Sequence, residues 1–226
     1  MRPACIAFDL DDTLFLERDY VRSGFAAVGE WAHAQFGITG FAERAWNLFQ
    51  EGVSRNIFDL ALEQTSLPAS SKTIEKMVRV YRNHQPDIRL AQDAACCLKA
   101  LHGRVRLALI SDGPVESQRN KVRALALNAS IDQIILTAEL GAEFVKPHPH
   151  SFQLVETVSN TSGARCLYVA DNPAKDFSAP LQLGWRTIRV RRPDSLHASV
   201  DTPHRLAVER EMTDLSSLTE LLLGSP

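Results

Sequence analysis

The chain of 226 residues is 45% hydrophobic and 23% charged, ordinary proportions for a globular protein with a large buried core. Its 25 Lys and Arg against 27 Asp and Glu give a net charge of −2, which supplies no broad basic field for nucleic acid or anionic membrane, so any anionic ligand must be captured locally. No apolar run is long enough to span a bilayer, acids interrupt MRPACIAFDLDD before a signal or anchor develops, and Cys5, Cys96, Cys97 and Cys166 lack CxxC spacing. A cytoplasmic enzyme with free structural thiols is expected, monomer or homodimer, with no nucleic-acid and no membrane partner.

Short apolar runs of strand length occur at Ala4 to Phe8, Arg106 to Ile110, Ile131 to Leu136, Cys166 to Ala170 and Arg186 to Val190, with helical patterns in most intervals. That alternation predicts an α/β fold with a doubly wound, Rossmann-like parallel sheet covered on both faces. The first interval is far longer than a single crossover helix needs. Its apolar residues recur at helical spacing: Val21, Phe25, Val28 and Ala32; Phe41, Ala45 and Leu48; Ile57, Leu60 and Ala61; Ile74, Met77, Val78 and Tyr81. The spacing predicts an all-helical subdomain over 16–87, inserted in a core of 1–15 and 88–226. A helix from Ala91 to His102, a basic helix near Val115 to Leu127 and a last helix through Leu215, Leu218, Leu221 and Leu222 complete the pattern.

In such sheets ligands bind beyond the carboxyl ends of the strands, and those ends carry Asp9, Ser111 and Asp171. In CIAFDLDDTLF, strand alternation puts Asp9 and Asp11 on one side and the turning chain aims both at one small volume. Two carboxylates in one pocket repel unless a cation or a shared proton compensates, which points to a hard metal ion or to a nucleophile and acid pair. Asp12 suits a helix cap or turn. No GxxxxGK[ST], GxGxxG or HExxH occurs, which removes the usual nucleotide-loop, dinucleotide and zincin readings. His148 and His150 flank Pro149 without a third metal ligand and are read as loop residues; Arg189, Arg191 and Arg192 are read as a solvated strand end.

DLDDT behind an apolar strand resembles the first motif, DxDxT, of the haloacid dehalogenase-like hydrolase superfamily. Three further segments match in the family's order: Ser111 in LALISDG, Lys146 in FVKPHP, and Asp171 with Asp176 in LYVADNPAKDF. The resemblance covers nearly the whole chain. It implies a helical cap inserted after the first motif that closes over the active site, with Phe15 to Asp19 and the region of Asp87 as connecting strands. It also implies a Mg²⁺ site formed by Asp9, the main-chain oxygen of Asp11, and Asp171.

The chemistry expected of these residues is hydrolysis of a small phosphorylated metabolite, such as a nucleoside or sugar monophosphate, through an aspartyl phosphate. Asp9 is the candidate nucleophile and Asp11 the acid and base. Lys146 offsets charge; Ser111, with the main-chain amides of Asp112 and Gly113, binds phosphoryl oxygens; Asp176 supports Lys146 or a metal-bound water. A phosphomutase shares these motifs. A hydrolytic dehalogenase, by the same resemblance, uses the first aspartate but needs neither the acid two residues on nor a magnesium site, so Asp11 and Asp171 count against it. A catalytically idle binding module would have lost Asp9, Asp11 or Lys146.

Overall fold

The computed structural model describes residues 2–63, 65, 70–204 and 206–223. The chain divides into two compact units, Met1–Glu17 with Arg89–Pro226, and Arg18–Ile88. The first unit is built on six parallel strands: β1 (Cys5–Phe8), β2 (Arg106–Ser111), β3 (Gln133–Leu136), β4 (Cys166–Ala170), β5 (Arg186–Val190) and β6 (Arg210–Met212). They lie in the order β3-β2-β1-β4-β5-β6. The chain moves outward from β1 first to one side and then to the other, so the site where the order reverses lies at the end of β1.

Parallel strands need helices on both faces, and CIAF, LALI and CLYVA are accordingly apolar throughout rather than alternating. The connections contain α5 (Gln92–Leu101), α6 (Val115–Ala124), α7 (His150–Ser159) and α8 (Ser178–Gln182), and α9 (Ser216–Leu223) packs beside α5. On one face Cys5, Ala7, Ala108, Ile110, Tyr168 and Ala170 meet Phe152 and Val155 of α7, with Trp185. The Phe152 ring contacts Tyr168 and Trp185 edge-on, at centroid distances of 4.9 and 5.5 Å. On the other, Ile6 shares a small cavity with Leu101 of α5 and Leu222 of α9. Each fully buried side chain of this size contributes about 1.5–3 kcal/mol. Cys5, Cys97 and Cys166 are buried and all four thiols are free.

The second unit holds most of α1 (Glu17–Phe36), then α2 (Phe41–Gln50), α3 (Ile57–Glu63) and α4 (Ser71–Asn83). Val21, Phe25, Val28, Ala32, Phe41, Ala45, Ala61 and Met77 form its core, at the spacing seen in the sequence; Val80, rather than Val78, packs against it. Gly24 sits against the Tyr81 ring so closely that an added Cβ would lie 2.3 Å from it. Among the described residues no helix is long and apolar enough to cross a membrane.

Several details differ from the sequence reading. The third strand starts at Gln133; just before it the Asp132 carboxylate accepts from the Leu107 amide at 2.8 Å. Glu17, Arg18 and Asp19 are already helical, and the chain around Asp87 pairs with no strand, so the expected connecting strands are absent there; Asp11 and Phe15 form an isolated bridge. Arg189 and Arg192 are buried rather than solvated, because their guanidinium groups donate to the Asp171 and Thr13 carbonyls.

Candidate active site

The strand register sets the site. Phe8 is level with Leu109 on one side and Val169 on the other, so Ser111 and Asp171 reach two residues past that level, flanking Asp9, whose amide donates to the Val169 carbonyl at 2.9 Å. Lys146 arrives on the loop after β3, where its peptide bond to Pro147 is cis. Its side chain is fully buried and its Nζ lies 2.5 Å from Asp9 Oδ1 and 2.8 Å from Asp176 Oδ1. Nζ also donates to Tyr168 Oη at 3.1 Å, and that hydroxyl donates to Asp176 Oδ1 at 3.2 Å.

Asp9, Asp171 and Asp176 are all buried, with carboxylate oxygens within 4.8 Å of one another. Asp171 Oδ2 is buried and has no hydrogen-bond partner among the described residues. Burial pushes Asp9 up to about 6 against the pull of Lys146. Burial, then the charges of Asp9 and Asp176, push Asp171 to about 9. Burial would lower Lys146, but Asp176 and Asp9 outweigh it and hold the ammonium well above its ordinary value. Lys146 contacts two of these three buried carboxylates, and the crowding that raises Asp9 and Asp171 is of the kind a hard divalent ion relieves; oxygen-only donors suit magnesium. Of the carboxylates expected around that ion, Asp9 and Asp171 are in the cluster, Asp176 joins them, and the Asp11 side chain points elsewhere.

Asp11 is held from helix α6. Lys121 Nζ lies 2.7 Å from Asp11 Oδ1, and Gln118 Nε2 lies 2.9 Å from Asp11 Oδ2. The same Gln118 nitrogen lies 2.6 Å from Ser111 Oγ and 2.8 Å from the Asp112 carbonyl. Ser111 Oγ therefore accepts from the amide and keeps its own proton to donate elsewhere. The Asp112 carboxylate, considered in the sequence only for its main-chain amide, accepts from Thr137 Oγ1 at 2.6 Å and from the Lys146 amide at 3.1 Å, and pairs with Lys175 at 3.4 Å. Gly113 has φ +133°, which a side chain rarely adopts, and its missing Cβ makes room for Gln118.

Asp12 acts structurally: with φ 56°, it accepts from the Glu17 amide at the start of α1 and from the Leu196 amide, at 2.8 and 2.7 Å. Burial, with Asp11 nearby, pushes Glu17 up to about 8. β5 and the loop after it brace both acidic loops. Arg189 donates to the Asp171 carbonyl at 2.9 Å and to the His197 carbonyl at 3.0 Å; Arg192 donates to the Thr13 carbonyl at 2.9 Å. His197 Nε2 accepts from the Asn172 amide at 2.9 Å, and burial, then the charge of Lys175, lowers its pKa.

Sequence reasoning missed Gln118, Lys121, Tyr168, Lys175, Arg189 and Arg192. The first two carried a signal, since a polar pair three apart on a helix that follows the Ser111 strand faces the strand ends. His148 and His150 pack on Phe144, with ring centroids 5.1 and 4.6 Å away. Arg18 and Arg22 lie over the Trp46 ring at 5.7 and 5.5 Å, within the helical unit.

Human N-acylneuraminate-9-phosphatase is 24% identical over 200 residues, covering 81% of this chain and 80% of its own length. The (S)-2-haloacid dehalogenase of Xanthobacter autotrophicus is 27% identical over 202 residues, covering 83% and 74%. In structure the chain resembles the HAD-hydrolase YfnB of Bacillus subtilis, solved bound to magnesium, with TM-score 0.72, 18% identity and coverage of 98% and 99%. The model of the haloacid dehalogenase-like hydrolases matches residues 3–184, and with the strand-end acids and Lys146 in place the chain belongs to that family of hydrolases.

Proposed function

We propose that this hydrolase cleaves phosphate monoesters of small metabolites through an aspartyl phosphate on Asp9. The observation that carries the reading is the division of labour between its acids. Asp9, Asp171 and Asp176 converge on one buried volume with Lys146, while Asp11 is held apart from them by Lys121 and Gln118. Displacement of halide from carbon releases an anion that needs no proton, so that step of a dehalogenase calls for no general acid. An alkoxide leaving from phosphorus does need one.

In the proposed reaction Asp9 attacks phosphorus, the bond to the ester oxygen breaks with its electron pair leaving on oxygen, and Asp11 protonates that oxygen. Water then attacks the acyl phosphate, giving its proton to Asp11, and inorganic phosphate departs with Asp9 restored. Ser111 and the amides of Asp112 and Gly113 donate to phosphoryl oxygens; Lys146 offsets the charge that gathers at Asp9. Asp9, Asp171 and the main-chain oxygen of Asp11 would hold Mg²⁺, with the orphaned Asp171 Oδ2 as the oxygen it satisfies. When bound, the ion supplies charge neutralisation that lets one anion approach another.

The test is a panel of phosphorylated metabolites and 2-haloacids, with Mg²⁺ present and after chelation. Phosphate release that needs Mg²⁺ is expected. Halide release without phosphatase activity would overturn the reading.

A further inference from the structure

Helix α6 carries a pair of side chains whose burial the reaction described so far leaves unused. Gln118 is 1% exposed, and the Lys121 side chain 5%. A lysine this buried is costly unless paired, and its ammonium lies 2.7 Å from Asp11 Oδ1, with the Phe15 ring 5.9 Å away. Gln118 reaches Asp11 Oδ2, Ser111 Oγ and the Asp112 carbonyl from one nitrogen, which ties the loop after β1 to the loop after β2. The space for it exists because residue 113 is glycine: a Cβ there would stand 3.1 Å from Gln118 Cδ. Residues 118 and 121 share one helix face, so a single rigid element fixes both oxygens of one carboxyl.

We propose that Gln118 and Lys121 are positioning residues that hold the Asp11 carboxyl in register with the Ser111 hydroxyl, so that the proton carrier faces the leaving oxygen while the phosphoryl group is gripped. The proposal rests on the phosphomonoesterase reading and names the part of the chain that makes its acid effective. A carboxyl has about four lone-pair sites. The two contacts fix its plane and leave the remaining sites for the transferred proton.

A purely structural ion pair and a positioning pair differ in how loss depends on the leaving group. p-Nitrophenolate departs without protonation, whereas the alkoxide of glycerol 2-phosphate requires it. Lys121→Met is therefore expected to lower the single-turnover rate of aspartyl-phosphate formation from glycerol 2-phosphate by about 10- to 100-fold, since misplacing a reacting group by an ångström costs up to the larger figure. On p-nitrophenyl phosphate the loss in that first step is about threefold or less, since no proton is called for there; hydrolysis of the aspartyl phosphate, which uses Asp11 as base, is common to both esters and is left out of this comparison. KM changes little on either ester, and Lys121→Arg, which keeps a cation toward Asp11, recovers part of the difference. Gln118→Met is expected to show the same leaving-group bias and serves if Lys121→Met does not fold. Equal losses on the two esters in the rate of aspartyl-phosphate formation by the folded variants overturn the positioning role and leave the phosphatase reading standing. A wild-type protein that turns over neither ester overturns both.

Discussion

Replacing Arg192 with Met probes a brace that lies outside the phosphoryl chemistry but holds the first acidic loop. Its Nε donates to the Thr13 carbonyl at 2.9 Å, and Nη1 and Nη2 donate to Asp93 Oδ1 and Oδ2 at 3.0 and 2.7 Å. Asp93 Oδ2 also accepts from the Leu215 amide at 2.7 Å, so the contact reaches the chain just before α9. The paired side chains are 7% and 16% exposed. Burial alone would raise Asp93, yet the guanidinium and the Leu215 amide hold it below its ordinary value. Removing one partner of a buried pair costs about 3–5 kcal/mol, and we take about 3 because Asp93 keeps some contact with water. In a chain of this size that is a fall in Tm of about 6–12 °C, at about 2–4 °C per kcal/mol. Urea denaturation of wild type, Arg192→Met, Asp93→Asn and the double variant measures the coupling, expected at about 1–3 kcal/mol. The pH dependence has a fixed sign. Because the folded pKa of Asp93 is depressed, its contribution is complete above the unfolded value of about 3.9 and is lost as pH falls through the lower folded value. An Arg192→Met protein within about 0.5 kcal/mol of wild type, the range of ordinary surface changes, would refute the brace.

Mg²⁺ should raise the melting temperature of the wild-type protein, by about 2.7 kcal/mol of stability at a hundredfold excess over Kd. Asp171→Asn removes a carboxyl whose ionised form burial and the charges of Asp9 and Asp176 disfavour, so without metal it should melt at or above wild type, and it should lose most of the response to Mg²⁺. Calorimetric scans with and without Mg²⁺ check both statements; an undiminished response would remove Asp171 from the metal site. Gly24→Ala drives a methyl into the Tyr81 ring and should destabilise the helical unit by about 1–3 kcal/mol, measured by denaturant unfolding. An unchanged midpoint would mean that α1 and α4 separate easily.

The central strands were legible because a parallel strand buried on both faces must be apolar throughout, which marks Cys5 to Phe8 and Cys166 to Ala170 directly. β6 was not, since Arg210, Glu211 and Met212 form a three-residue edge strand with no apolar run. The convergence of Asp9, Ser111, Lys146 and Asp171 followed from strand ends and motif order. Arg189 and Arg192 were misread because charge predicts exposure, whereas partners remote in sequence decide burial: the Asp171 carbonyl, Thr13 carbonyl and Asp93 are invisible to local pattern. Asp112 was read for its backbone alone because its side-chain partners, Thr137, the Lys146 amide and Lys175, come from later loops. Gln118 and Lys121 stood in a helix recognised only as basic, and their meaning emerges when the helix is laid across the strand ends.

Acid-quenching the enzyme during turnover of a phosphate monoester with Mg²⁺, then mapping its peptides by mass spectrometry, tests the proposed chemistry most directly. The expected result is a phosphoryl group on Asp9, absent from Asp9→Asn, which should retain wild-type circular dichroism and release no phosphate. Undiminished phosphate release by Asp9→Asn, or oxygen from labelled water appearing in the Asp9 carboxylate during turnover of a 2-haloacid with no phosphatase activity, would contradict an aspartyl-phosphate hydrolase.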